Sequence, residues 1–205
     1  MAIKSFALAA SVIILSACSG GGDSGSTQTT TPPVTPTSLT GVFIDSLVAG
    51  IQYQTPTFSG ITNSAGEYDY LPGETVTFSV GGIVFGSSPA GPVVTPLSLV
   101  SGATDASDPV VNNIVRLLLT LDDDGNFDNG ITITAATTAA AAGLTVDFTA
   151  TDLSADAGVN TLLAALSGTP ALVDATVAQT HFEETLASSW GTMSWGSGIW
   201  QAAAP

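Results

Sequence analysis

Residues 67–85 constrain the fold more than any other part of the chain. Glu67-Tyr68-Asp69-Tyr70 and Thr75-Val76-Thr77-Phe78-Ser79-Val80 alternate polar with apolar side chains. A period of two puts Tyr68 and Tyr70 on one face of a strand, and Val76, Phe78 and Val80 on one face of the next. Leu71-Pro72-Gly73-Glu74 separates them as a type II turn, with proline fixing φ at the second position and glycine supplying a positive φ at the third. Gly81-Gly82 is a two-residue hairpin signal, after which Ile83-Val84-Phe85 returns. Upstream, Val42-Phe43-Ile44, residues 48–54 with Gly50 as a bulge, and residues 57–62 add short strands. The last of these runs into the turn cluster Asn63-Ser64-Ala65-Gly66. The expectation is a small antiparallel β-sandwich over residues 41–96.

The period then changes. Asp108-Pro109 reads as an N-cap followed by proline in the first helical position. Val110, Val111, Ile114, Val115, Leu117, Leu118 and Leu121 recur at helical spacing, which predicts a central core helix. Beyond it the pattern predicts a strand at 131–134, an alanine-rich helix at 135–142 stopped by Gly143, and a strand at 144–148. A short helix holding Leu162, Leu163 and Leu166 follows, and then a last helix capped by Thr169-Pro170. On that helix Leu172, Ala175, Gln179, Phe182 and Leu186 share one face. The expected class is α+β: the small sandwich, then a compact, mainly helical segment over residues 97–188.

The two ends read differently. Lys4 precedes an apolar run from Phe6 to Leu15 that is too short to span a bilayer stably. It closes on Leu15-Ser16-Ala17-Cys18, which resembles the lipobox of bacterial lipoproteins. That resemblance implies a signal peptide over residues 1–17, cleavage before Cys18, and acylation of Cys18 with fatty chains such as palmitate. Several such chains anchor a soluble domain stably. Ser19 stands where lipoproteins kept at the inner membrane often carry Asp, so the resemblance implies the outer membrane. Residues 18–40 are rich in Gly, Ser, Thr and Pro and read as a tether. Residues 189–205 hold all three tryptophans, Trp190, Trp195 and Trp200, and their Ser-Trp-Gly repeat reads as the first hairpin of a further β unit, cut short.

Residues 57–80 resemble the transthyretin-like or carboxypeptidase-regulatory-like sandwiches through Gly60, Thr62, Gly66, Tyr68, Tyr70, Gly73, Val76 and Phe78. Over residues 41–188 the chain is similar to surface lipoproteins of Gram-negative bacteria. The resemblance implies a fold and is nearly silent on activity, because such sandwiches serve as stalks, adhesive units and accessory domains.

Composition excludes several functions. Seventeen acidic residues face two basic ones, Lys4 and Arg116, for a formal charge of −15. No basic face exists to displace counterions from nucleic acid, and phosphorylated substrates would be repelled. One cysteine excludes an internal disulfide or a cysteine-rich zinc cluster. Arg116, inside the core helix, is expected to pair with a carboxylate, or else to meet a ligand.

Asp122, Asp124, Asn126 and Asp128 follow that helix with the one-three-five-seven spacing of calcium loops. Acids at a helix C-terminus face the negative end of its dipole, and a bound Ca²⁺ would offset that cost. Phe127 and Ile133 stand where an EF-hand needs Gly and Glu, so the alternatives are a shorter calcium loop and a solvated acidic turn. Tyr53, Tyr68 and Tyr70 read as a shared core face or as a sugar-stacking platform. His181, the only histidine, lacks a nucleophile-elbow motif and reads as a packing or surface residue. The leading expectation is a non-catalytic binding, adhesion or envelope-structural lipoprotein. Its partners would be the membrane through Cys18 and an envelope protein or glycan. The alternatives are an extracytoplasmic hydrolase using His181 and carboxylates, and an accessory subunit of an envelope assembly.

Overall fold

The structure, a computed structural model, describes residues 37–168 and 170–192. Cys18, the signal peptide, most of the tether, Trp195 and Trp200 lie outside them.

Among the described residues nine short strands run in chain order: β1 (Leu39–Phe43), β2 (Val48–Ala49), β3 (Gln52–Gln54), β4 (Ser59–Ile61), β5 (Glu67–Tyr70), β6 (Thr75–Val80), β7 (Ile83–Pro89), β8 (Val93–Val94) and β9 (Ile131–Thr132). Four helices accompany them: α1 (Pro109–Thr120), α2 (Ala135–Ala140), α3 (Ala157–Ala165) and α4 (Ala175–Thr192). The protein is α+β, with its sheets concentrated in the N-terminal part. One sheet has the order β4-β3-β6-β7 and is antiparallel throughout. A second, β5-β1-β8, joins an antiparallel pair to a parallel one.

The alternating segments bury the faces that their period requires. Tyr68 and Tyr70 are buried on β5, and Val76, Phe78 and Val80 on β6. The two sheets meet through rings: Phe43 stacks on Phe78 at 4.3 Å between centroids, and Tyr68 meets Phe78 edge-on at 5.4 Å. Tyr68 therefore belongs to the core rather than to a sugar platform. Its hydroxyl donates to the Gly91 carbonyl (2.7 Å) and accepts from the Gly91 amide (3.0 Å), so one buried side chain pins the loop before β8. Gly41 makes this approach possible, because a Cβ there would sit 2.2 Å from the Gly91 oxygen.

Residues 48–54 do not form one bulged strand. Gly50 has φ +82° and divides them, so β2 and β3 pair in different sheets. β2 runs parallel to β9, with Val48 opposite Ile131. Residues before and after position 97 thus share one hydrophobic core, from Phe43 to Phe182.

The core helix forms as its sequence predicts. The Asp108 carboxylate accepts from the Val110 and Val111 amides, and Pro109 occupies the first position. Val111, Ile114, Val115, Leu117, Leu118 and Leu119 are all buried. Arg116 acts on carboxylates at a distance, its charge adding to the hydrogen bonds that lower Asp152 and Asp174, while its own hydrogen bonds go elsewhere. Its Nε donates to the Val173 carbonyl (2.8 Å), while the Thr120 hydroxyl accepts from the Val173 amide (2.9 Å). The two side chains of α1 thereby bind both backbone polar groups of Val173, in the segment leading to α4.

Three local expectations are corrected. Residues 144–148 form no strand: the Asn113 amide takes the carbonyls of Phe148 and Ala150, and Asp147 folds back on the Thr149 amide. The last helix begins at Ala175 rather than after Thr169-Pro170, because Asp174 accepts from the Thr176 amide at its start. α4 continues to Thr192, so the first Ser-Trp-Gly, at 189–191, is helical rather than the start of a hairpin.

Replacing Tyr68 by Phe would orphan both polar groups of Gly91. The expected cost is about 1–3 kcal/mol in urea denaturation, with the native far-UV spectrum retained; unchanged stability would contradict the clamp.

Candidate functional site

The site lies where three distant segments converge. Ile44 and Leu47 form an isolated antiparallel bridge, which leaves Asp45 and Ser46 as the two residues of a tight turn between β1 and β2. Ser46 has φ +55°, in the left-handed region that non-glycine residues occupy only at some cost. The Ile131 amide donates to the Leu47 carbonyl, which draws the acidic loop against this turn. The Ser46 hydroxyl donates to the Phe127 carbonyl (3.1 Å). From the other side α4 buries Ala178, Phe182 and Thr185, and this packing presents His181 to the turn. The Phe127 ring meets the imidazole edge-on at 5.7 Å.

Asp45 is wholly buried, and neither of its carboxylate oxygens has a hydrogen-bond partner. His181 Nε2 lies 3.6 Å from Asp45 Oδ1 and 3.4 Å from Ser46 Oγ. Burial pushes the Asp45 carboxyl well above the usual carboxylate range. Burial also lowers the His181 imidazole, against the opposing pull of the Asp45 carbonyl and the charges of Glu184 and Asp128.

This is not a nucleophile relay. In a serine triad the base faces the hydroxyl with one nitrogen and the orienting carboxylate with the other. Here Asp45 and Ser46 approach the same nitrogen, and the serine proton is directed at Phe127. The arrangement is suited to holding a proton or a cation between Asp45 and His181.

In the acidic loop Asp122 and Asp124 lie beside each other, and both take donors from the surrounding backbone and side chains. Asp122 Oδ1 accepts from the Thr132 amide (2.8 Å). Asp124 Oδ1 accepts from the Asn126 amide (2.9 Å), and its Oδ2 from the Asn129 side chain (2.9 Å). Those two bonds hold the Asp124 carboxyl below its usual range, while burial raises Asp122, helped by the neighbouring Asp124. Asn126 precedes the 3₁₀ turn Phe127–Asn129 without capping it, and Asp128 contributes its charge towards His181 instead. Among the described residues no three His, Cys, Asp or Glu side chains are grouped to hold a metal.

Asp45 and Ser46 were not legible as site residues. Asp-Ser between two apolar runs signals a turn, and only the tertiary fold brings that turn to His181.

Two outcomes follow. In protein freed of divalent ions, Asp45→Asn removes a carboxyl whose proton the folded state binds more tightly than the unfolded chain. That contribution is complete below about pH 4 and is lost as pH rises through the raised folded value. The variant should therefore gain most in Tm near pH 7.5 and least near pH 4.5; the reverse order would contradict the burial argument. In the acidic loop, Asp124→Ala should lower Tm only slightly, because its two lost bonds lie at an exposed position, and millimolar Ca²⁺ added to metal-stripped protein should leave Tm unchanged. A calcium-dependent rise lost in Asp124→Ala would restore the calcium loop.

Comparison with known proteins returned no matching family model, no similar curated protein and no similar solved structure.

Proposed function

We propose that this chain is a lipoprotein anchored at the outer membrane through Cys18, with a non-catalytic binding, adhesive or envelope-structural domain held off the membrane by a tether that ends before β1 at Leu39, two residues short of the expected 18–40 span. The supporting observation is how the chemically capable side chains are used. The acids of the helical half cap turns and helices, as Asp108, Asp152, Asp156 and Asp174 do. The only histidine shares one nitrogen between Asp45 and Ser46. Such a domain offers its surface rather than a reaction centre. Among the described residues no helix is long and apolar enough to cross a membrane, and a lipid at Cys18 would supply the attachment. A calcium ion in the acidic loop remains a separate proposal: Asp122 Oδ1 and both oxygens of Asp124 accept N–H donors, while Asp122 Oδ2 is buried without a partner.

The hydrolase reading rests on one observation, the 3.4 Å between Ser46 Oγ and His181 Nε2. It requires Ser46→Ala to abolish an activity, whereas the proposed role leaves envelope binding unchanged in that variant.

In the native envelope the wild-type chain should fractionate with outer membranes and incorporate labelled palmitate. Cys18→Ala should lose the label and move to the soluble fraction. A wild-type chain found soluble and unlabelled would overturn the anchor.

A further inference from the structure

We propose that Asp45, Ser46 and His181 form a binding site for one divalent transition-metal ion of the zinc class. The first observation is the orphaned carboxylate. A fully buried side chain with two unpartnered oxygens needs a counter-charge or a proton, because an unpaired charge in a dry interior is strongly unfavourable. Asp45 is aimed at the only histidine of the chain.

The second observation is the spacing. His181 Nε2 stands 3.6 Å from Asp45 Oδ1 and 3.4 Å from Ser46 Oγ, both beyond the usual N–H···O range of about 2.7–3.2 Å. A tetrahedral ion with bonds of about 2.0–2.1 Å sets its ligand atoms about 3.3–3.4 Å apart. The two separations from Nε2 fit neighbouring ligand atoms of a common ion better than they fit direct hydrogen bonds. Ser46 is already oriented to accept a cation, because its proton goes to the Phe127 carbonyl and leaves oxygen lone pairs free.

The third observation is the donor set. Imidazole nitrogen with carboxylate oxygen suits zinc-class ions, whereas calcium sites are built from oxygen alone. His181 is part-exposed, so solvent can reach its side of the site and supply a fourth ligand. The chain's charge of −15 concentrates cations around it.

The test uses the full chain in detergent, stripped with chelator and titrated with Zn²⁺ by calorimetry, thermal melting and histidine NMR. One equivalent should bind, raise Tm by several degrees, and shift the single imidazole signal in the same proportion. His181→Gln and Asp45→Asn should each weaken binding at least tenfold, while Asp124→Ala leaves it unchanged. If Asp45→Asn does not fold, His181→Gln decides, because its side chain is part-exposed. The proposal is overturned by the absence of zinc binding, by binding that His181→Gln does not weaken, or by binding that leaves the imidazole signal unmoved and disappears in Asp124→Ala.

Discussion

The pairing of β2 with β9 is the contact on which the rest depends. It is two residues long on each side, with Val48 opposite Ile131 and Ala49 opposite Thr132. Yet it is parallel, between segments some eighty residues apart. A parallel pair needs a long crossover, and α1 lies within it. The pairing carries the acidic loop to the Asp45 turn and joins the two parts of the chain in one core, alongside the Phe85–Phe148 stack and the Gly82 amide on the Ala141 carbonyl. Gly50 is the enabling residue. Its positive φ ends β2, and a Cβ there would lie 2.0 Å from the Ile133 carbonyl. A side chain at 50 would push the two segments apart.

The same junction gives the acids a different meaning from the one their number implies. A charge of −15 suggests a surface seeking cations, but many carboxylates are used locally. Asp108, Asp156 and Asp174 accept amides at helix starts, and Asp105, Asp147 and Asp152 fold onto amides two residues on. In a chain whose only basic residues are Lys4 and Arg116, N–H groups replace cations as the partners of carboxylates. Arg116 likewise donates its Nε–H to the Val173 carbonyl, and only its charge reaches Asp152 and Asp174. Among the described residues Asp45 is the exception, a carboxylate with both oxygens buried and unpartnered, where Asp122 has one.

Local features were legible where period and turn chemistry agree. The strands at 67–80, the glycine hairpin and the Asp108 cap follow from side-chain alternation and backbone preference alone. What failed needed tertiary knowledge. The 144–148 segment alternates like a strand, but Asn113 claims its carbonyls, and no sequence period records that. Val48 and Ile131 carry no mark of their parallel pairing. The candidate site was hidden for the same reason: a dipeptide that reads as an ordinary turn and a histidine that reads as packing become a site only after β2, β9 and α4 have docked. The acidic loop was conspicuous because its charges are adjacent in sequence, yet its carboxylates serve their own loop.

One core, closed by β2 and β9, therefore spans the sheets and the helices and holds Asp45 within it. Native-state hydrogen exchange with increasing denaturant tests this directly. The Ile131 and Ile133 amides, which donate to Leu47 and Ala49, should open with the same free energy as the central amides of α1 and β6. If they exchange at much lower denaturant while β6 and α1 stay closed, the two halves are separate units and the shared core is contradicted.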